Sequence, residues 1–270
     1  LGKAKDIIIK PISSNDARKI VQRLHYSGKT VNNSQLHLGC FYNGKCEGAM
    51  QFGPSLDKRK IQGLVSGSGW NNFIELNRMA FSDVLPRNSE SRAIGVAMRT
   101  IKEKYPHIKW VISFADGAQC GDGTIYRASG FCLTGIKKNN QIWIAPNDET
   151  FSRMSLTDGR SKQQQQAQKI CRTTVTKGKS IPSSGGGASM KQYIDAGFKP
   201  IEGFQLRYIY FIDPTAKERL TVPILPFSKI EERGAGMYKG VKRSKQAMAD
   251  TLGTATGQNR SERSTNNIEL

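Results

Sequence analysis

The segment Trp110–Ala115 (WVISFA) constrains this chain most. An apolar run of that length suits a strand buried on both faces, which requires helices above and below it to keep water out. The flanking sequence supplies them. Ile94, Ala97, Met98 and Ile101 fall on one helical face before the run, limited by Pro106, and a short helix through Tyr126 closes after it at Gly130. Ile7–Ile12 is a β-rich run that ends at Ser13-Ser14-Asn15-Asp16, whose side-chain oxygens suit a helix start. Ala17, Ile20, Val21 and Leu24 then follow at i, i+3, i+4 and i+7. That helix stops by Gly28, which leaves His25-Tyr26-Ser27 at its end. Leu36–Tyr42 and Cys46–Phe52 join across Asn43-Gly44 as a hairpin. The polar, Gly-rich stretch Gly53–Asn72 reads as a long loop. Phe73–Phe81 (FIELNRMAF) alternates as a strand, with Ile74, Leu76 and Ala80 on one face, interrupted by Arg78. Phe73, Glu75, Asn77, Met79 and Phe81 take the other face. Gln141–Ala145 and Gln205–Asp213 are further strands. The expected fold class is α/β, a mixed central sheet flanked by helices.

Composition shifts after Pro146. Between Ser152 and Gln192 there is no aromatic residue, a run of glutamines at 163–166 and a Ser-Ser-Gly-Gly-Gly segment at 183–187. The expected organisation is a core over 5–145, a basic polar insertion over 146–192 that buries little core by itself, a return to the core over 193–230, and a flexible tail over 231–270. One pattern recurs, Tyr-x-x-x-Gly-Phe at Tyr126–Phe131 and Tyr193–Phe198, each a helix closing on Gly before a strand.

The 270 residues carry 41 Lys plus Arg against 22 Asp plus Glu, a formal charge of +19. Such a balance points to a polyanion partner, most simply nucleic acid; a merely soluble basic surface is the alternative. No apolar run is long enough to cross a membrane, and the opening Leu-Gly-Lys-Ala-Lys-Asp carries no secretory signal. Five cysteines without a C-x-x-C pair, and three histidines, assemble neither a disulfide framework nor a zinc signature, so a reducing cytoplasm is expected.

Candidate chemistry gathers at strand ends, where open α/β sheets place their ligands. Asp116 ends the buried strand, followed by Gly117, Gly121 and Gly123, and Tyr126 lies on the next helix. Ser89 and Ser91, flanked by Arg87 and Arg92, begin the helix after FIELNRMAF; its first N–H groups and two guanidiniums would cradle a phosphate or pyrophosphate. Ordinary capping with surface arginines explains the same residues. Asp116 would equally serve as a helix cap, His25-Tyr26 and Tyr126 as packing, and Glu75 with Arg78 as a buried polar pair. Trp70, Phe73 and Tyr26 are candidate stacking surfaces for a base, with loop-anchoring hydrophobes the alternative for Trp70 and Phe73, and Asn71, Asn72 or Asn77 carry amides able to pair with a base edge. Lys58-Arg59-Lys60 and the basic arm with Arg153, Arg160, Lys162, Lys169 and Arg172 would hold phosphates, with a solvated face as the alternative.

The order of elements resembles a GCN5-related N-acetyltransferase core. That likeness implies a coenzyme A pyrophosphate on the Arg87/Ser89/Ser91/Arg92 helix start and Tyr126 as general acid, although Arg87-Asn-Ser-Glu-Ser-Arg92 stands where the usual Arg/Gln-x-x-Gly-x-Gly/Ala signature would be. A more specific resemblance covers about residues 15–230. The segments LHYSGK, ELNRMAF, PRNSESRAIG, SFADG, IYRASGFCLTGI, RYIYFIDP and LTVPILPFS are similar to the Mom family of bacteriophage DNA-modification proteins. The resemblance implies addition of a carbamoylmethyl group to adenine N6 in double-stranded DNA, as protection from host restriction enzymes, in the cytoplasm of an infected bacterium. It implies His25, Tyr26, Asp116 and Tyr126 as catalytic residues and a small-molecule group donor, acyl-coenzyme A or a relative. It also implies iron, for which His25 and Asp116 would be ligands beside Tyr26. A coenzyme-A-dependent N-acyltransferase acting on a protein or RNA amine is the alternative. A third possibility is a non-catalytic DNA-binding protein on the same scaffold.

Overall fold

Ser13 caps the first helix, its hydroxyl accepting from the Asp16 N–H at 3.1 Å, and the apolar stripe beyond it buries Ala17, Ile20 and Val21. In this computed structural model, the residues described are 3–25, 28–118, 120–157, 162–174, 189–238 and 241–242. The chain runs β1 (Ile8–Pro11), α1 (Ser14–Leu24), β2 (Leu36–Tyr42), β3 (Lys45–Gly53), α2 (Lys58–Gln62), β4 (Phe73–Phe81), α3 (Ser89–Lys104), β5 (Trp110–Asp116), α4 (Thr124–Ala128) and β6 (Cys132–Asn139). There follow β7 (Ile142–Ile144), β8 (Thr150–Ser152), α5 (Arg153–Thr157), α6 (Lys162–Thr174), α7 (Met190–Asp195), β9 (Lys199–Pro200), β10 (Gly203–Phe211), α8 (Pro214–Glu218) and α9 (Ser228–Glu232).

Seven strands make the central sheet in the order β1-β2-β3-β4-β5-β10-β6. Every neighbouring pair is antiparallel except β4 with β5, which the α3 crossover makes parallel. The expected mixed α/β architecture is therefore present. WVISFA lies at its centre: Val111 and Ala115 belong to the main core with Ile94, Ala97, Met98 and Ile101 of α3. Trp110 and Ile112 belong to a cluster on the opposite face with Ile61, Val65 and Ala216. On that second face α1 packs Ala17, Ile20 and Val21 against Ala49 and Ala80.

Several local expectations change. The stretch 53–72 is not a plain loop. It holds α2, and Val65 bridges Leu220, because Ile61, Leu64 and Val65 have apolar surface to cover the sheet. The stretch 146–192 is not coreless. A small sheet, β8-β7-β9, and the helices α5–α7 bury Trp143, Phe151, Leu156, Ala167, Cys171, Tyr193 and Phe198 together, with the aromatic residues coming from outside the aromatic-free run. The tail begins later than residue 231: Ala235 and Met237 are buried in the main core, while residues 243–270 lie outside the described residues. The repeated Tyr-x-x-x-Gly-Phe segments do share one solution. Gly130 and Gly197 take φ of +81° and +89°, and the Phe N–H bonds back to the Tyr carbonyl at 3.0 Å in both.

Candidate active site

The parallel pairing of β4 with β5 covers only Phe73–Glu75 against Trp110–Ile112. Beyond it β4 runs on to Phe81 and β5 to Asp116 without pairing with each other, so the sheet opens between their carboxyl halves. Ser113 stands at the fork. Its buried Oγ lies 3.3 Å from the Leu76 carbonyl oxygen and 2.9 Å from the Tyr126 phenol oxygen. A carbonyl only accepts, so all three groups are satisfied when Ser113 donates to Leu76 and Tyr126 donates to Ser113. Tyr126 arrives there on α4, packed against Phe131 and Tyr208 with ring centroids 5.4 and 5.3 Å away. Gly123, at φ +83°, starts that helix where the chain passes against Tyr208.

Asp116 is held from two sides. The Ala118 N–H donates to Oδ1 at 3.0 Å, and Asn139 Nδ2, from the end of β6, donates to Oδ2 at 3.0 Å. Asn139 Oδ1 in turn accepts from the Gln141 N–H at 3.1 Å, at the entry to the small sheet. The small sheet is thus mounted at the carboxyl end of β5, beside Asp116.

A β-bulge shapes the other wall. Gln51 opposes Arg78 and Phe52 opposes Leu76, which leaves Asn77 as the extra residue of β4. The bulge shifts the alternation by one. Ile74, Leu76, Met79 and Phe81 all face the main core, while Glu75 and Arg78 share the opposite face with Phe73 and Ala80. Strict alternation had placed Met79 and Phe81 with Glu75, and Arg78 with Leu76. Arg78 donates from Nε to the Lys29 carbonyl at 3.1 Å and from Nη1 to the Asn77 carbonyl at 2.6 Å. Burial, with the Arg78 guanidinium acting in the same direction, lowers the His25 pKa to about 4, so the imidazole is neutral at physiological pH. Burial raises the Glu75 carboxyl, opposed by Ser55, Asn77 and Arg78 beside it. Gln51, fully buried, donates from Nε2 to Ser34 Oγ at 3.2 Å, and His37 Nε2 lies 3.0 Å from the same hydroxyl.

At the carboxyl end of β4 a cleft of about 380 Å³ opens between Phe81–Ser91 and the start of α4 at Thr124, Ile125 and Ala128. Arg87, Ser89 and Ser91 line it; Arg92 does not, its Nη2 reaching the Lys5 carbonyl at 3.4 Å instead. Asn88, at φ +70°, caps α3 without a side-chain hydrogen bond, so ordinary side-chain capping does not explain this helix start. Ser89 is 2% exposed and its Oγ has no hydrogen-bond partner. Asp83 and Glu90 share the rim, and burial followed by Asp83 raises the Glu90 carboxyl.

The remaining expected residues divide between two other places. Lys58, Arg59 and Lys60 lie on α2, with Lys58 Nζ 4.7 Å from the ring centroid of Trp70, which is 51% exposed. Phe73 is instead buried, stacked on Trp110 with centroids 4.5 Å apart, and is no platform for a base. Asn72 is occupied structurally, donating to the His107 carbonyl and accepting from the Gly69 N–H. Arg153 opens α5, and Lys162, Lys169 and Arg172 lie on α6. Tyr26 and Arg160 lie outside the described residues. No group of three or more His, Cys, Asp or Glu that would hold a metal occurs among the described residues. His25 also sits in the field of the Arg78 guanidinium, which opposes a cation there. Among the described residues, those expected to hold iron do not fit it.

Sequence reasoning singled out neither Ser113, Asn139 and Gln51 nor the bulge at Asn77. Ser113 lay inside an apolar run, and Asn139, the side-chain partner of Asp116, comes from a strand distant in the chain.

The chain matches the model of the Mom protein family over residues 6–229. It is 43% identical over 133 residues to "Methylcarbamoylase mom" of Escherichia phage Mu; the match spans 49% of this chain and 55% of that protein. Solved structures with a similar arrangement are GCN5-related acetyltransferases. They include the acetyltransferase of the GNAT family from Streptococcus pneumoniae (13% identity, 49% of this chain and 88% of that one, TM-score 0.35). Another is the ribosomal-protein-S18-alanine N-acetyltransferase from Escherichia coli (14% identity, 53% and 88%, TM-score 0.36). Likeness at that level extends to neither ligand nor chemistry.

Proposed function

The chain belongs to the Mom protein family, and from that premise we propose that it is a transferase that adds a carbamoylmethyl group to adenine N6 in duplex DNA, protecting the DNA from restriction enzymes. The name of its phage Mu relative supports the group transferred. The observation that carries the chemistry is the fork between β4 and β5, where Tyr126, packed on the main-core face, meets Ser113 at 2.9 Å and Asp116 ends β5.

Adenine N6 is a poor nucleophile because its lone pair is delocalised into the ring, so a base must take its proton as the new bond forms. Glu75, on the opposite face of β4, is the proposed base, because burial raises its carboxyl and makes it a readier proton acceptor than an exposed carboxylate. Asp116 already accepts from Ala118 and Asn139 and positions that end of the site. His25 is neutral and only weakly basic, suited to accepting or donating one hydrogen bond to the base. Tyr126 protonates the leaving group. As it does so, the Ser113 hydroxyl turns from the Leu76 carbonyl to donate to the phenolate, so one rotor serves both states of the acid. The target base must leave the duplex stack first, at a cost of a few kcal/mol.

A coenzyme-A-type donor fits the cleft at α3. The Ser89 hydroxyl, buried and unpartnered, would donate to a phosphate oxygen, with Ser91, Arg87 and the first N–H groups of the helix beside it. When bound, such a donor supplies the activated carbon. The two rim carboxylates, Asp83 and Glu90, limit how much negative charge the cleft accepts, which favours a donor anchored at one or two oxygens.

The test is nucleoside mass spectrometry of plasmid DNA recovered from bacteria expressing the chain. Carbamoylmethyl-deoxyadenosine is expected from the wild type and at least about tenfold less from Tyr126→Phe, as for loss of one general acid. Unmodified deoxyadenosine alone, or full activity in Tyr126→Phe, overturns the proposal in its first or second part.

A further inference from the structure

We infer that α6 is a DNA-reading helix that lies in the major groove, with Gln165 reading a base edge and Lys162, Lys169 and Arg172 holding the flanking phosphates. This deepens the proposed function and rests on DNA being the substrate.

The helix is 13 residues long, about 20 Å at 1.5 Å per residue, and is docked by one stripe. Gln164, Ala167, Gln168 and Cys171 are buried against the second core, and Gln164 Nε2 anchors the helix to the Leu156 carbonyl at 3.0 Å. At about 100° per residue the opposite arc carries Arg172, Gln165, Lys169, Lys162, Thr173 and Gln166, in that order and within roughly 120°. All six are exposed. No acidic residue lies on the helix, so within it none of the three cations has the i±3 or i±4 partner that a solvated surface helix uses to balance charge. Glu149 of the β7–β8 hairpin accepts from Gln166 Nε2 at 2.5 Å, and so marks one edge of the arc rather than its middle. Gln165, between Arg172 and Lys169, keeps its amide available. A glutamine can pair with both N7 and the 6-amino group of adenine in the major groove, whose width admits one α-helix.

Position supports the assignment. The small sheet that carries this subdomain is entered through Asn139 and Gln141, and Asn139 holds the Asp116 carboxylate. The subdomain that carries α6 therefore joins the core next to Asp116.

The experiment uses the full chain and a 25-base-pair duplex of a modified site, with binding followed by fluorescence anisotropy from 0.05 to 0.3 M salt. A Lys162→Ala/Lys169→Ala/Arg172→Ala triple variant should lower the slope of log K against log salt by about 2.7, three contacts at about 0.9 each, and weaken binding on the order of 100-fold near 0.1 M salt. Gln165→Ala should leave that slope unchanged and relax the sequence context of the modified adenines at one position. Since all four side chains are exposed, the melting temperature serves as a control and should not move by more than about 2 °C. An unchanged slope in the triple variant overturns the phosphate grip; an unchanged sequence context in Gln165→Ala overturns base reading. Equal affinity for a duplex RNA of the same sequence overturns docking in the major groove, because that groove in RNA is too deep and narrow for a helix. If the wild type modifies DNA while the α6 variants behave like it, only this inference fails. If the wild type neither binds nor modifies DNA, the proposed function fails first.

Discussion

Gly123→Ala offers a sharp test because a matched control exists in the same chain. Gly123 and Gly44 take nearly the same positive φ, +83° and +79°, at which a side chain costs about 1–2 kcal/mol. They differ in space. A Cβ on Gly44 would meet nothing within 4 Å, whereas one on Gly123 would stand 3.0 Å from Tyr208 Oη and nearer still to the ring carbons. Tyr208 cannot step aside: its side chain is fully buried and its hydroxyl donates to the Asp122 carbonyl at 2.5 Å. Overpacking of that kind adds about 1–3 kcal/mol. At about 2–4 °C per kcal/mol for a domain of this size, Gly44→Ala should lower the melting temperature by about 2–8 °C, and Gly123→Ala by a further ~2–12 °C. The consequence reaches the site, since α4 begins at Gly123 and carries Tyr126; the Gly123 variant should also lose DNA modification below its melting temperature, and the Gly44 variant should keep it. Differential scanning fluorimetry with nucleoside mass spectrometry measures both. Two variants that melt within 1 °C of each other would refute the clash, and with it the close packing credited to this turn.

Three further expectations concern the site. Asn139→Leu removes the Nδ2 donor from Asp116, and should cut the rate of modification by about 10–100-fold, or ~1.4–2.7 kcal/mol of barrier, without changing DNA affinity. A parallel loss of affinity would make Asn139 a structural residue only. Glu75→Gln should abolish modification yet melt no lower than wild type at pH 7.5, because it removes a buried charge; retained activity would exclude Glu75 as the base. His25 has a folded pKa of about 4 against 6.5 unfolded, so its contribution to stability is complete above pH 6.5 and is lost as pH falls toward 4, by up to about 3 kcal/mol. His25→Gln should therefore flatten the fall in urea midpoint between pH 7 and 4.5, and equal falls in both proteins would contradict the burial assigned to the ring.

What the chain's sequence determined by itself was local. The period of Ala17, Ile20 and Val21, the Asn43-Gly44 turn and the apolar run at Trp110 specify α1, the β2–β3 hairpin and β5, because helix stripes, positive-φ turns and doubly buried strands are written in neighbouring residues. The same holds for the paired Gly130 and Gly197 helix ends. Asp116 and Tyr126 were also visible, one at a strand end and one on the helix behind it. Tertiary structure alone decided their partners. Asn139 reaches Asp116 from 23 positions away through a sheet order that puts β10 between β5 and β6, and Ser113 reaches Tyr126 from 13 because α4 folds back against β5. The bulge at Asn77 has the same origin: one extra residue turns Arg78 from the main core onto the face of Glu75, and nothing in FIELNRMAF marks where pairing with β3 slips. The basic insertion shows the limit most plainly. Its own residues are too polar to exclude water, and they become a docked, one-sidedly cationic helix only because Trp143, Tyr193 and Phe198 arrive from both ends of the insertion to cover its inner stripe.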